Sequence, residues 1–288
     1  MVLQESARNS SLVTKLNAIW ESTEYSDLTI RCGSEDFKVH RAVVCVSCPF
    51  FAKACAGQWQ EAQTGVIDLE EDDCPTVGRM LKYMYIEDYE DEGDAASITP
   101  YLRDTPEIYL TEADKPRNPN EPFAGDNTST LSRHLNNVAV YAIAEKYSIL
   151  RLKDLALDKF ESLMCKQELS PAIPTVIDAI FRTTTPLDEE LRGVAVKFCA
   201  SYDAEIVSDE RYSWILRNHG DLGLGVLRKL GKERKEDRNR TLTRLEDILH
   251  FEIFSGRARR NYSDTQQDSI QSLASQLREL KNSLKTPK

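Results

Sequence analysis

Pro49 constrains this chain more than any other residue. It stands in "RAVVCVSCPFFAKAC", residues 41–55, where apolar residues recur at helical spacing. A proline inside a continuous helix loses a hydrogen bond and clashes with the preceding turn, so the stretch reads as two helices. Cys48 falls at their junction, and Pro49 suits the first turn of the second helix, which carries Phe50, Phe51 and Ala54. Just upstream, "DLTIRCG" and "DFKVH" alternate apolar and polar residues around the turn-forming "GSED", the pattern of a hairpin of two short strands. The fold class expected is α+β.

The flanking segments extend this pattern. Leu12, Leu16 and Ile19 recur at steps of four and three and predict a short amphipathic helix over 11–22. After "GQWQEAQTG", the β-branched "VIDL" predicts a third strand. Asp72 or Asp73 is placed to cap a helix whose first turn holds Pro75 and whose apolar stripe is Val77, Met80, Leu81 and Met84. From Leu135 onward the periodicity is helical throughout. Leu135, Val138 and Ala142, then Leu152, Leu155, Ala156, Phe160 and Leu163, define two packed helices. Shorter stripes follow around Ile173–Phe181 and Leu191–Phe198, then two further helical pieces with Gly220 placed as a C-terminal cap.

Composition breaks this order twice. "EDYEDEGD", 87–94, carries six carboxylates in eight residues, and prolines follow at 100, 106, 116, 119 and 122. Residues 87–130 therefore read as a solvated, partly disordered insertion, in which "EIYL" is a candidate strand. "GKERKEDRNR" reads as a charged linker. It leads to a tail in which Ile270, Leu273, Leu277, Leu280 and Leu284 alternate steps of three and four, a short coiled-coil seam. The organisation expected is a mixed domain over 10–165, a helical extension over 166–231, and a linker with a helical tail over 232–288.

The net charge of −10 argues against nucleic acid or an anionic membrane as partner. No apolar stretch approaches the length a bilayer demands, and the polar first ten residues do not read as a secretory signal. The expected location is cytoplasm or nucleus. The seven cysteines, an odd number without a framework spacing, are expected as free thiols.

Four stretches together, "YSDLTIRCGSEDFKVHRAVVCVSCPFF", "GQWQEAQTGVIDLEEDD", "VGRMLKYMYIEDY" and "LNNVAVYAIAEKYSILRLKDLALDKF", resemble a BTB/POZ domain, most closely its fungal branch. The likeness covers roughly residues 12–163, interrupted by the insertion. The resemblance implies a homodimer paired through Leu12, Leu16, Ile19, Asp27 and Arg41, with Asp27 and Arg41 as a partly buried charged pair near the dimer axis. It also implies a cullin contact. The family's apolar–any–Glu signature falls on Trp59-Gln60-Glu61, so Trp59 and Glu61 are the candidate contact residues. On this reading the chain is an interaction module and not an enzyme: a homodimeric adaptor between a cullin-based ubiquitin ligase and an unknown substrate protein. No Kelch, MATH or zinc-finger pattern accompanies the domain. The alternative implied is a dimerising scaffold, nuclear and linked to transcription, without a ubiquitin role.

The chemical motifs are weak beside this. Cys45-Val46-Ser47-Cys48 is a CxxC, but a structural zinc site needs four ligands and no second pair occurs, while a thioredoxin-type site needs its first Cys at a helix start. No metal and no cofactor is expected. His40 has no nucleophile and orienting acid converging on it, so a hydrogen-bonded structural role is expected. "GDLGLG", 220–225, lacks the strand and spacing of a dinucleotide site. The basic "GRARR", with Arg257, Arg259 and Arg260, reads first as part of a solvated linker and second as a nuclear-localisation signal.

Overall fold

A computed structural model describes residues 2–93, 126–169 and 172–254, with five positions between 272 and 279. The chain divides into two compact units, 1–223 and 224–288.

Helix α1, Val2–Ser22, opens the first unit and lays Trp20 against the ring of Tyr85, 5.3 Å between centroids. Strands β1, Leu28–Cys32, and β2, Glu35–Val39, form the expected antiparallel hairpin, with Leu28 opposite Val39 and Cys32 opposite Glu35. Strand β3, Val66–Asp68, adds parallel to β1, which gives a three-stranded mixed sheet in the order β2-β1-β3. Leu28, Ile30 and Cys32 are buried, while Arg31 points to solvent and pairs with Asp36 across the hairpin at 2.9 Å.

Pro49 breaks the helical run as its chemistry requires. Helix α2 is Arg41–Ser47, Cys48 is extended, and α3 is Pro49–Ala54. Val44, Cys48 and Phe51 enter the core from this corner. The short α4, Gln60–Thr64, leads into β3 through Gly65, whose φ of 68° is a left-handed conformation that glycine adopts without strain. Helix α5, Cys74–Ile86, is capped by Asp73, whose carboxylate accepts the Thr76 N–H at 3.0 Å.

The run after α5 departs from expectation. Instead of staying in water, Tyr89 and Asp91 are buried. Asp91 accepts from Arg133 Nε at 3.1 Å and Asn137 Nδ2 at 3.1 Å, and the Asp91 main-chain oxygen accepts from Asn136 at 2.8 Å. Tyr89 donates to Asn137 Oδ1 at 2.5 Å, and the Lys159 ammonium lies 4.2 Å from the Tyr89 ring centre. Asp88 and Asp91 meet cations on the following helices, Lys159 and Arg133, and Glu90 meets Lys82 on α5, which composition cannot show. Residues 94–125, with "EIYL", lie outside the described residues. Helix resumes at Asp126, inside the stretch assigned to the insertion.

Helices α6, Asp126–Lys146, and α7, Leu150–Met164, pack through Leu135 and Val138 against Leu152, Ala156 and Phe160. Helix α8, Ile173–Thr183, is buried from Ile173 to Phe181 because α6 covers it on one side, and α9, Glu189–Ser201, and α11, Glu210–Asn218, cover it on others. Between the last two lies α10, Asp203–Ser208.

Two further expectations are corrected. Gly220 does not cap a helix C-terminus but is the first residue of α12, Gly220–Phe254; His219 caps α11. The charged run "GKERKEDRNR" is not a linker either: it lies within α12, where Lys229–Glu233 at 2.9 Å and Lys232–Glu236 at 3.9 Å are i, i+4 pairs. Alternating signs at that spacing support a helix that composition alone reads as loop. Ile270, Leu273, Leu277, Leu280 and Leu284 lie outside the described residues, as do Arg257, Arg259 and Arg260. No helix among the described residues is long and apolar enough to cross a membrane.

Candidate interaction site

His40 is the hinge between β2 and α2, and its hydrogen bonds are fully used. Its main-chain N–H donates to Tyr85 Oη at 2.9 Å, its Nδ1 meets the same hydroxyl at 2.8 Å, and its Nε2 lies 2.6 Å from the Glu24 carbonyl. The Glu24 carbonyl can only accept, so Nε2 carries the ring proton and donates to it; Nδ1 is then the acceptor for the Tyr85 hydroxyl. That is a structural histidine, as expected. Among the described residues no group of three or more His, Cys, Asp or Glu is arranged to hold a metal.

Asp27 and Arg41 do meet, but not as the expected charged pair. Asp27 Oδ1 accepts the Arg41 main-chain N–H at 2.8 Å, so the carboxylate serves the N-terminus of α2, where His40 gives no side-chain cap. The Arg41 guanidinium turns the other way and donates through Nη2 to the Ala62 carbonyl of α4 at 3.3 Å. Its Nε is buried without a partner. The physical reason is a competition that sequence spacing cannot settle: an unsatisfied helix N–H takes the nearer carboxylate, and the long guanidinium reaches the carbonyl of the next element.

Arg41 thereby anchors the segment that carries Trp59. After α3 the chain turns at Gly57, φ 76°, and Trp59 adopts an extended conformation as the N-terminal flank of α4. The Trp59 carbonyl accepts from Gln63 N at 3.3 Å, Gly65 N donates to Glu61 O at 2.9 Å, and Thr29 N donates to Gly65 O at 2.9 Å. Backbone bonds therefore fix both ends of α4 while the indole stays 67% exposed. Glu61 is half-buried, and its carboxylate has no ion pair among the described residues. Val46 on α2, 86% exposed, and Phe50 on α3, 41% exposed, are the other large apolar residues that this corner leaves in water.

On α1, Leu12 is 59% exposed, whereas Leu16 and Ile19 are half-buried. Tyr25, in the turn after α1, is 88% exposed. The apolar stripe read from the sequence is thus only partly covered by the chain's own core.

Sequence reasoning missed two polar clusters in the helical region. The Tyr141 hydroxyl donates to Asp188, 2.8 Å, beneath Lys153, which also pairs with Glu145 at 2.7 Å. These residues line a cleft with Thr183, Thr184, Thr185 and Leu187. Burial and then the Asp188 bond push the Tyr141 hydroxyl above its ordinary value; burial alone would lower Lys153, but Glu145, Asp188 and Glu190 outweigh it and raise it. Elsewhere, Asp178 bridges His219 at 2.8 Å and Arg182 at 2.7 Å. Asp178 and Arg182 stand at i, i+4 within α8, but His219, and Lys153 and Asp188 around Tyr141, come from other elements, and spacing along the chain does not bring those together.

Residues 16–113 match the family model of the BTB/POZ domain. A BTB/POZ and MATH domain-containing protein of Arabidopsis thaliana is 26% identical over 208 residues, 71% of this chain and 42% of that protein. That likeness is longer than the whole of 16–113 and so runs beyond it. A human Kelch-like protein is 27% identical over 77 residues, 27% of this chain and 13% of that protein. The chain thus spans well under half the length of either relative. With the sheet and helices described above, residues 16–113 are a BTB/POZ domain, a protein–protein interaction module, followed by a helical region. The two relatives, from a plant and from human, give the fungal assignment no support.

Proposed function

We propose that this chain is a homodimeric adaptor: it pairs through Leu12, Leu16, Ile19, Asp27 and Arg41, and it presents Trp59-Gln60-Glu61 to a cullin scaffold so that a substrate protein is brought to a ubiquitin ligase. The observation that carries the reading is the state of Trp59. A monomer gains nothing from holding an indole 67% exposed on a segment whose backbone is tied down at both ends. A partner that buries it gains a large apolar contact at small ordering cost, the character of an interface hot spot. Glu61, in the first turn of α4 and without an ion pair among the described residues, supplies the adjacent charge. The exposed Leu12 and the half-buried Leu16 and Ile19 support pairing through α1, since a second copy would complete their burial.

The test is affinity purification of the tagged full chain with identification of what accompanies it. A cullin should co-purify, and Trp59→Ala should weaken that binding by at least about 2 kcal/mol, near 30-fold in Kd. The variant should remain a dimer by light scattering. A cullin recovered equally with Trp59→Ala and Glu61→Ala overturns the contact; a monomer at micromolar concentration overturns the pairing.

A further inference from the structure

Three consecutive threonines, Thr183, Thr184 and Thr185, lead out of α8, and only one of them keeps its hydroxyl free. The Thr183 hydroxyl donates back to the Ala179 carbonyl at 2.8 Å. The Thr184 hydroxyl donates to the Ile180 carbonyl at 2.6 Å and accepts from Arg192 Nε at 2.9 Å. Thr185 is exposed, and its hydroxyl has no hydrogen-bond partner among the described residues. It is also the threonine followed by proline. Among the described residues Thr185-Pro186 is the only step in which a hydroxyl side chain precedes proline; those at 99–100, 105–106, 170–171 and 286–287 lie outside them.

The loop that carries this step is a raised tip on a fixed base. Arg192, 9% exposed, donates through Nη2 to the Phe181 carbonyl at 3.2 Å and to the Thr184 carbonyl at 2.6 Å. On the other side Asp188 caps α9 by accepting the Leu191 N–H at 3.2 Å. Between these anchors Thr185 to Asp188 form a turn closed by the Asp188 N–H on the Thr185 carbonyl at 3.0 Å, with Pro186 in the second position, which its fixed φ suits. Leu187 is 90% exposed, so opening the tip breaks one backbone bond and no apolar packing.

We propose that Thr185 is a phosphorylation site for a proline-directed protein kinase. A free hydroxyl on a tip that opens locally can enter a kinase active site, and Pro186 has no N–H to leave unpaired in an apolar pocket beside it. The Thr185 oxygen attacks the γ-phosphorus of ATP and the bond from that phosphorus to the β,γ-bridging oxygen breaks. ADP leaves, and the hydroxyl proton passes to the kinase's catalytic carboxylate and on to solvent. The product carries an added charge of about −1.5 to −2. It stands in the cleft that Thr185 lines with Glu145, Lys153 and Asp188, where the Lys153 ammonium lies 2.7 Å from Glu145, 3.6 Å from Asp188 and 3.7 Å from Glu190. Three carboxylates already face one ammonium, so the modified cleft is strongly anionic; it repels an acidic partner and draws a cationic one.

The test incubates the full chain with a purified proline-directed kinase and Mg–ATP, digests it with trypsin and maps phosphate by mass spectrometry. Thr185 falls in tryptic peptide 183–192, which holds none of the other hydroxyl–proline steps. The expected result is one phosphoryl group on that peptide, placed at Thr185 by fragment ions and absent in Thr185→Ala and in Pro186→Ala. Because one backbone bond has to open, the folded chain should be modified within about tenfold of the rate of a free synthetic peptide of residues 183–192. Phosphate at Thr183 or Thr184, equal modification of Pro186→Ala, or a folded chain modified more slowly than that overturns the proposal. Thr185 and Pro186 are exposed, so both variants keep the fold, which circular dichroism checks.

Discussion

Asp91→Ala is the sharpest probe of the acidic run that follows α5. In the native protein Asp91 is 9% exposed, and its carboxylate receives three side-chain hydrogen bonds, from Arg133 Nε at 3.1 Å, Arg133 Nη2 at 3.3 Å and Asn137 Nδ2 at 3.1 Å. The two donors respond differently to its loss. Arg133 is 38% exposed and can turn to water, so its share is small, at most about 1 kcal/mol. Asn137 is fully buried with its oxygen engaged by Tyr89, so its amide loses an acceptor that nothing replaces, at about 1–3 kcal/mol. Together they predict a destabilisation of about 1–4 kcal/mol. In urea, with a slope of about 2 kcal/mol per molar, the midpoint falls by about 0.5–2 M. Glu92→Ala, one residue on and exposed, is the control and should stay within about 0.5 kcal/mol. The pH dependence has a definite sign. Burial alone would raise Asp91, but the bonds from Arg133 and Asn137 and the charges of Arg133 and Lys159 outweigh it and hold it below the ordinary carboxylate value. A folded-state value below the unfolded one stabilises above the unfolded pKa, near 4, and is lost as pH falls through the folded value. Acid titration of stability should therefore show this component in the wild type and not in Asp91→Ala. Equal midpoints for Asp91→Ala and Glu92→Ala would refute the reasoning and return the run to solvent.

Other perturbations follow from the same geometry. Tyr85→Phe removes the hydroxyl that accepts from the His40 N–H and donates to its ring, and it should cost about 1–3 kcal/mol in urea unfolding with the slope unchanged. Asp73→Ala removes the cap of α5 and its bonds to Thr76 N and Oγ1, and should cost about 1 kcal/mol by the same measurement. Arg41→Met frees the Ala62 carbonyl from its guanidinium; hydrogen exchange should quicken at Gln63 and Gly65 while the β1–β2 pairing keeps its protection. Timed alkylation should label the exposed Cys165 early and the buried Cys32 and Cys199 late, because burial pushes both thiols up to about 12.

Much of the fold was legible because its signals are local. The alternation in β1 and β2, the Pro49 break, the Asp73 cap and the apolar stripes of α5, α7 and α8 each rest on steric or hydrogen-bonding demands within a few residues. Two segments were misread for one reason: charge density was taken as a sign of water. In 87–93 Asp88, Glu90 and Asp91 meet cations on α7, α5 and α6, and in α12 glutamates pair with lysines a helical turn away. Composition counts charges but does not say what faces them. Among the candidate residues, the sequence singles out Trp59 through its motif, and the structure adds that the indole is exposed on a fixed backbone.

The sequence by itself determined the α+β class and most of the order of elements, since those follow from periodicity, proline and capping along one strand of chain, and four of its stretches carry the likeness to a BTB/POZ domain. Only the tertiary structure decided which groups face each other. It gave Asp27 to the Arg41 backbone and the Arg41 guanidinium to Ala62, it set Tyr141 beneath Lys153, and it turned the Cys48 thiol inward to the Tyr147 carbonyl. Such pairings depend on how far a side chain reaches across a packed junction and on which unsatisfied donor lies nearest, and neither is written in the spacing of residues along the chain.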